Sequence, residues 1–286
     1  MDLRERFIET NGIKLHVMEA GPADGPMILF LHGFPEFWYA WRKQLQYFAD
    51  KGYLVVAPDQ RGYNLSDKPK GIAPYKSDEL AKDIVGLIDA YGRKKIFLVG
   101  HDWGAAVSWW TAIKYPERIE RLIIMNVPHP VIMGKTLFSN QKQMERSWYI
   151  FYFQIPGAVE QFASANNYQW PVNLLMETSR PGAFLPADLE KYREAFMQPH
   201  AFTSMVNWYR ASLQTPSEKP ASFRITMPTL VLWGVNDVAI IPEQAEASMA
   251  FCDQGRLVKF EDASHWVQHE EAGKINPLIE DFFKKA

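Results

Sequence analysis

Short apolar runs recur along the chain and constrain its fold more than any other feature. They are MILFL (27–31), YLVVAPD (53–59), KIFLVG (95–100), RLIIMN (121–126), TLVLWG (229–234) and RLVKF (256–260). Brief, β-branched and nearly continuous apolar segments suit strands buried on both faces. Helical patterns lie between them. SDELAKDIVGLIDAYG (77–92) places Leu80, Ile84, Leu87 and Ile88 at helical spacing. AAVSWWTAIKY (105–115) stops before Pro116, and GKINPLIEDFFKK (273–285) reads as a final helix. Such alternation predicts an α/β protein, with a mostly parallel sheet flanked by helices on both sides. Near the start, RFIET and IKLHVMEA are joined by Asn11-Gly12, a strong hairpin signal.

The alternation stops between 131 and 218. That stretch holds Trp148, Tyr149, Tyr152, Trp170, Trp208 and Tyr209, several prolines and no clear buried strand. It reads as a helical cap inserted between two sheet strands, over the sheet edge where open α/β sheets bind ligands. The expected organisation is a core in two parts, 1–130 and 219–286, with a lid at 131–218.

With 286 residues, 47% of them hydrophobic, the chain can bury a large core. Its net charge of -2 and lack of a basic block argue against a nucleic-acid partner. The single cysteine, Cys252, cannot form an internal disulfide and reads as packing, which fits a reducing compartment. The charged start, MDLRERFIET, lacks the apolar core of a signal peptide, and no apolar run approaches the ~18 residues of a membrane span. A soluble, cytoplasmic protein without membrane partners is expected.

Function points first to GHDWG (100–104). A strand, then Gly-x-nucleophile-x-Gly, then a helix is the turn that lifts a nucleophile above a sheet. Small flanking residues let strand and helix backbones approach. Here the projecting residue is Asp102. Such a turn needs an acid and then a histidine further along the chain. TLVLWGVNDVAIIP offers Asp237 after a strand, while Asn126 fills an earlier acid position without a charge. RLVKFEDASHWVQHE offers His265 and His269, of which His265 lies nearer the strand end, in a loop with small neighbours. His16 reads as structural, and His32 and His101 as holders of turns. His129 and His200 are given no role. LHGFP (31–35) supplies a loop whose Phe34 N–H, with that of Trp103, suits an oxyanion hole. Pro35 biases Phe34 away from helical angles and admits a cis bond.

HGFPEFWYAW (32–41), PDQRGYNLSDKP (58–69), GHDWG, WYIFYFQIPGAVE (148–160), NWYR (207–210) and ASHWVQHE (263–270) together resemble the epoxide hydrolases of the α/β-hydrolase fold. The resemblance runs over nearly the whole chain, cap included. It implies Asp102 as nucleophile, Asp237 as triad acid and His265 as base. It also implies two cap tyrosines that hold the epoxide oxygen. One precedes by three residues the tyrosine of a Y-F-Q-x-P-G run, which gives Tyr149. The other lies in a W-Y-R run, which gives Tyr209. Phe34, Pro35 and Trp103 are expected to contact substrate.

A carboxylate at the elbow attacks an alkyl carbon and makes an ester of its own side chain, splitting one hard displacement into two easier steps. The reading is therefore a small apolar epoxide, plus water, converted to a diol by a monomer or homodimer. There is no HExxH and no G-x-G-x-x-G after a strand, so no metal or organic cofactor is expected. The nearest rival is a haloalkane or haloacetate dehalogenase. Haloalkane dehalogenases typically carry Asn where Phe34 stands, and fluoroacetate dehalogenases carry Arg where Trp103 stands. A non-catalytic receptor on the same fold is the rival from another class.

Overall fold

The computed structural model describes residues 2–284. Met1 and the last two residues, Lys285 and Ala286, lie outside that range, so the final position of the GKINPLIEDFFKK helix is not covered. The strands are β1 (Arg4–Thr10), β2 (Ile13–Ala20), β3 (Met27–Leu31), β4 (Leu54–Pro58), β5 (Ile96–His101), β6 (Ile119–Met125), β7 (Thr229–Gly234) and β8 (Gly255–Phe260). Among the described residues they form one eight-stranded sheet in the order β1-β2-β4-β3-β5-β6-β7-β8. β1 and β2 are joined by the Asn11-Gly12 turn and pair antiparallel, and β2 also pairs antiparallel with β4. The remaining pairs are parallel. Both turn residues adopt positive φ, 45° at Asn11 and 74° at Gly12, which accounts for the Asn-Gly pair.

The apolar runs are continuous because the sheet is covered twice. Along β3, Met27, Leu29 and Leu31 enter one core cluster while Ile28 and Phe30 enter the other. β7 does the same, with Val231 and Trp233 on one face and Leu230 and Leu232 on the opposite one. Side chains alternate across a strand, so both sets must be apolar when both faces are packed. One face is covered by α1 (Arg42–Ala49) and the last helix of the chain, through Leu45, Phe48, Ile275, Ile279 and Phe283. The other carries α2 (Ser77–Ala90) and α3 (Trp103–Lys114). The 77–92 pattern holds, with Leu80, Ile84, Leu87 and Ile88 all buried.

RLVKF departs from its expected burial. β8 pairs only with β7 at the sheet edge, and of its residues only Phe260 is buried. An edge strand lacks a neighbour to shield its outer side.

Between β6 and β7 the chain is helical: α4 (Pro130–Ser139), α5 (Gln141–Arg146), α6 (Trp148–Tyr152), α7 (Ala158–Ser164), α8 (Gln169–Glu177), α9 (Pro186–Phe196) and α10 (Ala201–Gln214). After β7 come α11 (Glu243–Met249), α12 (Val267–Glu270) and α13 (Ala272–Lys284). Among the described residues no helix is long and apolar enough to cross a membrane. The chain leaves β3 towards β4 on one side and leaves the adjacent β5 towards β6 on the other, so the order reverses between β3 and β5. That switch point opens a crevice at the C-terminal ends of β3 and β5.

Candidate active site

Asp102 occupies the turn between β5 and α3 with φ 50° and ψ -127°, a region that L-residues rarely adopt. Such a conformation costs on the order of 1–3 kcal/mol and persists only where the surroundings enforce it. The flanking glycines show how they do so. A Cβ on Gly104 would lie 2.1 Å from the carbonyl oxygen of Leu31, and one on Gly100 would lie 2.4 Å from that of Gly104. Any side chain there would push β3, β5 and α3 apart.

The Asp102 carboxylate is held from two sides. Its Oδ1 accepts a 2.7 Å hydrogen bond from the Phe34 N–H. Its Oδ2 lies 3.4 Å from Nε2 of His265. Gln60 fixes the HGFP loop, its N–H donating to Nε2 of His32 and its amide to the His32 carbonyl. The Phe34–Pro35 bond is cis. The Trp103 amide opens α3, where a helix has no internal acceptor for its first N–H groups.

His265, in the loop after β8, directs Nδ1 to Oδ2 of Asp237 at 2.7 Å. Asp237 is 2% exposed and fully engaged. Its Oδ1 accepts from the N–H groups of Ala239 and Ile240, and its Oδ2 also accepts from the amide of Asn126 at 2.8 Å. Asn126 is therefore in the site, although sequence reasoning noted it only as a position unable to carry charge. Its Oδ1 accepts from the Gly234 N–H, so one amide ties the end of β6 to the acid loop.

These contacts set the charges. Burial would raise the carboxyl pKa of Asp102, but the hydrogen bond and charge of His265, with the Phe34 amide, hold it below the ordinary value. Burial likewise opposes ionisation of Asp237, and His265 and Asn126 outweigh it. His265 is pushed the other way. Burial alone would lower its pKa, yet the charge of Asp237 and the contacts with Asp102 lift it well above the ordinary histidine value.

Tyr149 in α6 and Tyr209 in α10 face one another across the crevice, with ring centroids 5.9 Å apart. Both line two cavities that meet at Asp102, of about 330 and 360 Å³. Burial and the nearby Asp102 charge raise both phenols far above the ordinary tyrosine value, so they stay protonated. The surrounding motif residues join the two helices. Gln154 donates to the Tyr209 carbonyl, and Arg210 donates to the carbonyls of Phe153 and Ile155 while pairing with Glu160. The Tyr209 ring packs edge-on against Trp103, Phe34 and Phe153.

The structure thus brings together Asp102, Asp237, His265, Tyr149, Tyr209 and the amide of Phe34. Phe34 lines the 360 Å³ cavity and Trp103 the 330 Å³ cavity. Pro35 differs from expectation, being buried and absent from both cavity walls. His269 lies apart in α12, its Nε2 2.6 Å from buried Glu36. His200 is exposed, and the remaining histidines are buried and hydrogen-bonded. His16 bonds Asp59, His101 bonds the His265 carbonyl, and His129 accepts from the Val131 N–H at the start of α4. Cys252 is partly buried among apolar groups, and burial pushes its thiol up to about 11.

A nucleophile elbow, an acid after one strand and a histidine after the next define an α/β hydrolase. Residues 26–272 match the family described as alpha/beta hydrolase fold. Within it the chain belongs to the epoxide hydrolase family. It is 40% identical to "Epoxide hydrolase 1" of Caenorhabditis elegans over 98% of this chain and 70% of that protein. It is 43% identical to "AB hydrolase superfamily protein YfhM" of Bacillus subtilis, over 98% of this chain and 97% of that one. A solved epoxide hydrolase from Bacillus megaterium, a mutant form, superposes with a TM-score of 0.90 at 30% identity. That match covers 98% of this chain and 100% of the solved one.

Proposed function

We propose that this hydrolase opens epoxides to vicinal diols through a covalent ester on Asp102. The observation that carries this reading is the division of labour between the two Asp102 oxygens. Oδ1 is bound by the Phe34 amide, while Oδ2 points towards His265 and the cavity. In the first step Oδ2 attacks an epoxide carbon. The hydroxyls of Tyr149 and Tyr209 hydrogen-bond the ring oxygen, and a proton passes to it as the C–O bond breaks. General acid help of this kind is worth typically ~10²–10⁴-fold.

Ester formation removes the negative charge of Asp102. That charge is one of the influences raising the His265 pKa, so ester formation lowers it and favours the unprotonated imidazole, which can accept a proton. In the second step Nε2 takes a proton from water, with Asp237 orienting the ring through Nδ1. The water attacks the Asp102 carboxyl carbon. Oδ1 carries the developing negative charge, already against the Phe34 amide and beside the start of α3. On collapse the departing oxygen takes the proton from His265 and the diol is released; the proton left on the Asp102 carboxyl returns to the tyrosine, restoring both groups. The helical insertion acts as the cap that supplies both tyrosines and shields the ester from bulk water. Two cavities of comparable size at Asp102 accommodate apolar groups on either side of the epoxide.

The test is a single turnover in heavy-oxygen water. The label should enter Asp102 and the first diol should leave unlabelled, because its new oxygen comes from the carboxylate. His265→Gln should accumulate an adduct with the mass of enzyme plus epoxide. A labelled first diol with unlabelled Asp102 would mean that water attacked the epoxide directly.

A further inference from the structure

The two neighbours of His265 are both tied to the insertion, through contacts that the reaction above does not use. One link runs through Glu270, the last residue of α12, whose side chain is wholly buried. Oε2 of Glu270 accepts from the Ser264 N–H at 2.7 Å, and Oε1 accepts from the Ser264 hydroxyl at 2.6 Å. Oε1 also accepts from the N–H of Arg180, in the loop after α8, at 2.8 Å. The Arg180 guanidinium lies 3.8 Å from Oε2, donates to the Glu270 carbonyl and pairs with Glu271 at 2.7 Å. On the other flank of His265, the Trp266 indole N–H donates to Oγ1 of Thr178 at 2.9 Å. Residues 178–180 belong to the insertion, and Thr178 lines the 360 Å³ cavity.

A buried carboxylate is costly unless strong donors surround it, and removing one partner leaves the others stranded. Here the donors come from the residue before His265 and from the insertion. Joining a loop to a helix does not require a charge. Fixing a side chain to within a fraction of an ångström does call for locked supporting contacts.

We propose that Glu270 is a positioning residue for His265, and that through Arg180 it makes docking of the cap a condition for the base to be in place. The proposal rests on the covalent mechanism above and locates its effect in one step. Alkylation uses Asp102 and the two tyrosines, none of which sits on the 261–271 loop. Ester hydrolysis needs Nε2 of His265 aligned with a water and the Asp102 carboxyl carbon. Loosening the loop therefore slows the second step and spares the first.

The test compares wild type with Glu270→Gln and Ser264→Ala by rapid-quench mass spectrometry of the Asp102 adduct and by steady-state kinetics on a styrene-oxide-type epoxide. Glu270→Gln faces the Ser264 N–H with an amide nitrogen or loses the Arg180 contact, whichever way it is turned. Hydrolysis of the adduct should fall by roughly tenfold or more, the scale on which small misplacements act. Adduct should accumulate, and kcat and KM should fall together with kcat/KM unchanged. A purely structural role would lower kcat at constant KM, in proportion to lost folded protein. Ser264→Ala removes one hydroxyl and should give the same pattern more weakly. It carries the test alone if Glu270→Gln does not fold. Equal slowing of both steps, or normal hydrolysis in the folded variants, overturns the proposal. If wild type itself forms no adduct, the covalent mechanism fails instead.

Discussion

Gly33 leaves no room between the loop after β3 and Asp102, the proposed nucleophile, and filling that space should disable the site. A Cβ at Gly33 would stand 2.3 Å from both Cβ and Oδ1 of Asp102, and 2.7 Å from its Cγ. Ordinary contact begins near 3.4 Å, so Gly33→Ala demands a separation of about 1 Å. No positive φ at Gly33 adds backbone strain, so the effect is steric. Relief can come from the Asp102 side chain or from the HGFP loop, and both routes break the 2.7 Å contact between the Phe34 N–H and Oδ1. A displacement of 1 Å costs on the order of 10²-fold in rate. Loss of one oxyanion donor costs a further ~10²–10³-fold in the second step. Stability should fall by only about 1–3 kcal/mol, the usual cost of overpacking. Alkylation followed by mass spectrometry, with urea unfolding in parallel, separates the two effects. A folded Gly33→Ala protein that alkylates Asp102 at the wild-type rate would refute the claim that this packing positions the nucleophile.

Two further outcomes are expected. Replacing Tyr149 and Tyr209 together by Phe should suppress alkylation by at least ~10²-fold while the fold survives, and a wild-type alkylation rate would remove both from the mechanism. His129 is held down to about 4 by burial, despite its bond to the Phe223 carbonyl. The unfolded chain then takes up this proton first as pH falls, so stability should be lost between about pH 6.5 and 4, by at most about 3 kcal/mol. Urea unfolding at pH 7 and 4.5 should show a smaller loss for His129→Gln than for wild type, and an equal loss would assign the effect elsewhere.

The fold class was legible because its determinants are local. A strand buried on both faces must be apolar at every position, and a helix packed on one face must repeat its apolar residues at helical spacing. MILFL, TLVLWG and the 77–92 pattern each carry that signature. The elbow was legible for a similar reason, since the close approaches at Gly100 and Gly104 exclude every larger residue. The hairpin turn at Asn11-Gly12 follows from backbone angles that few residue pairs tolerate.

Tertiary structure decided what depends on meetings through space. His265 and His269 are four residues apart, and sequence position favours the first without showing what either meets. Only the fold brings the first to Asp237 and the second to Glu36. Asn126 looked like an empty acid position until its amide was found on the acid's own carboxylate. Gly33 and Glu270 lie within the HGFP and ASHWVQHE stretches, but their roles come from atoms that separate stretches of chain bring within hydrogen-bonding or overlapping distance. RLVKF reads like a central strand but lies at an edge, because strand order is set by connections across the sheet and not by strand composition. Local sequence encodes which faces must be buried and which turns must be tight. The pairing of one face with another is a property of the whole packed chain, and the charges, distances and supports at Asp102 emerge only there.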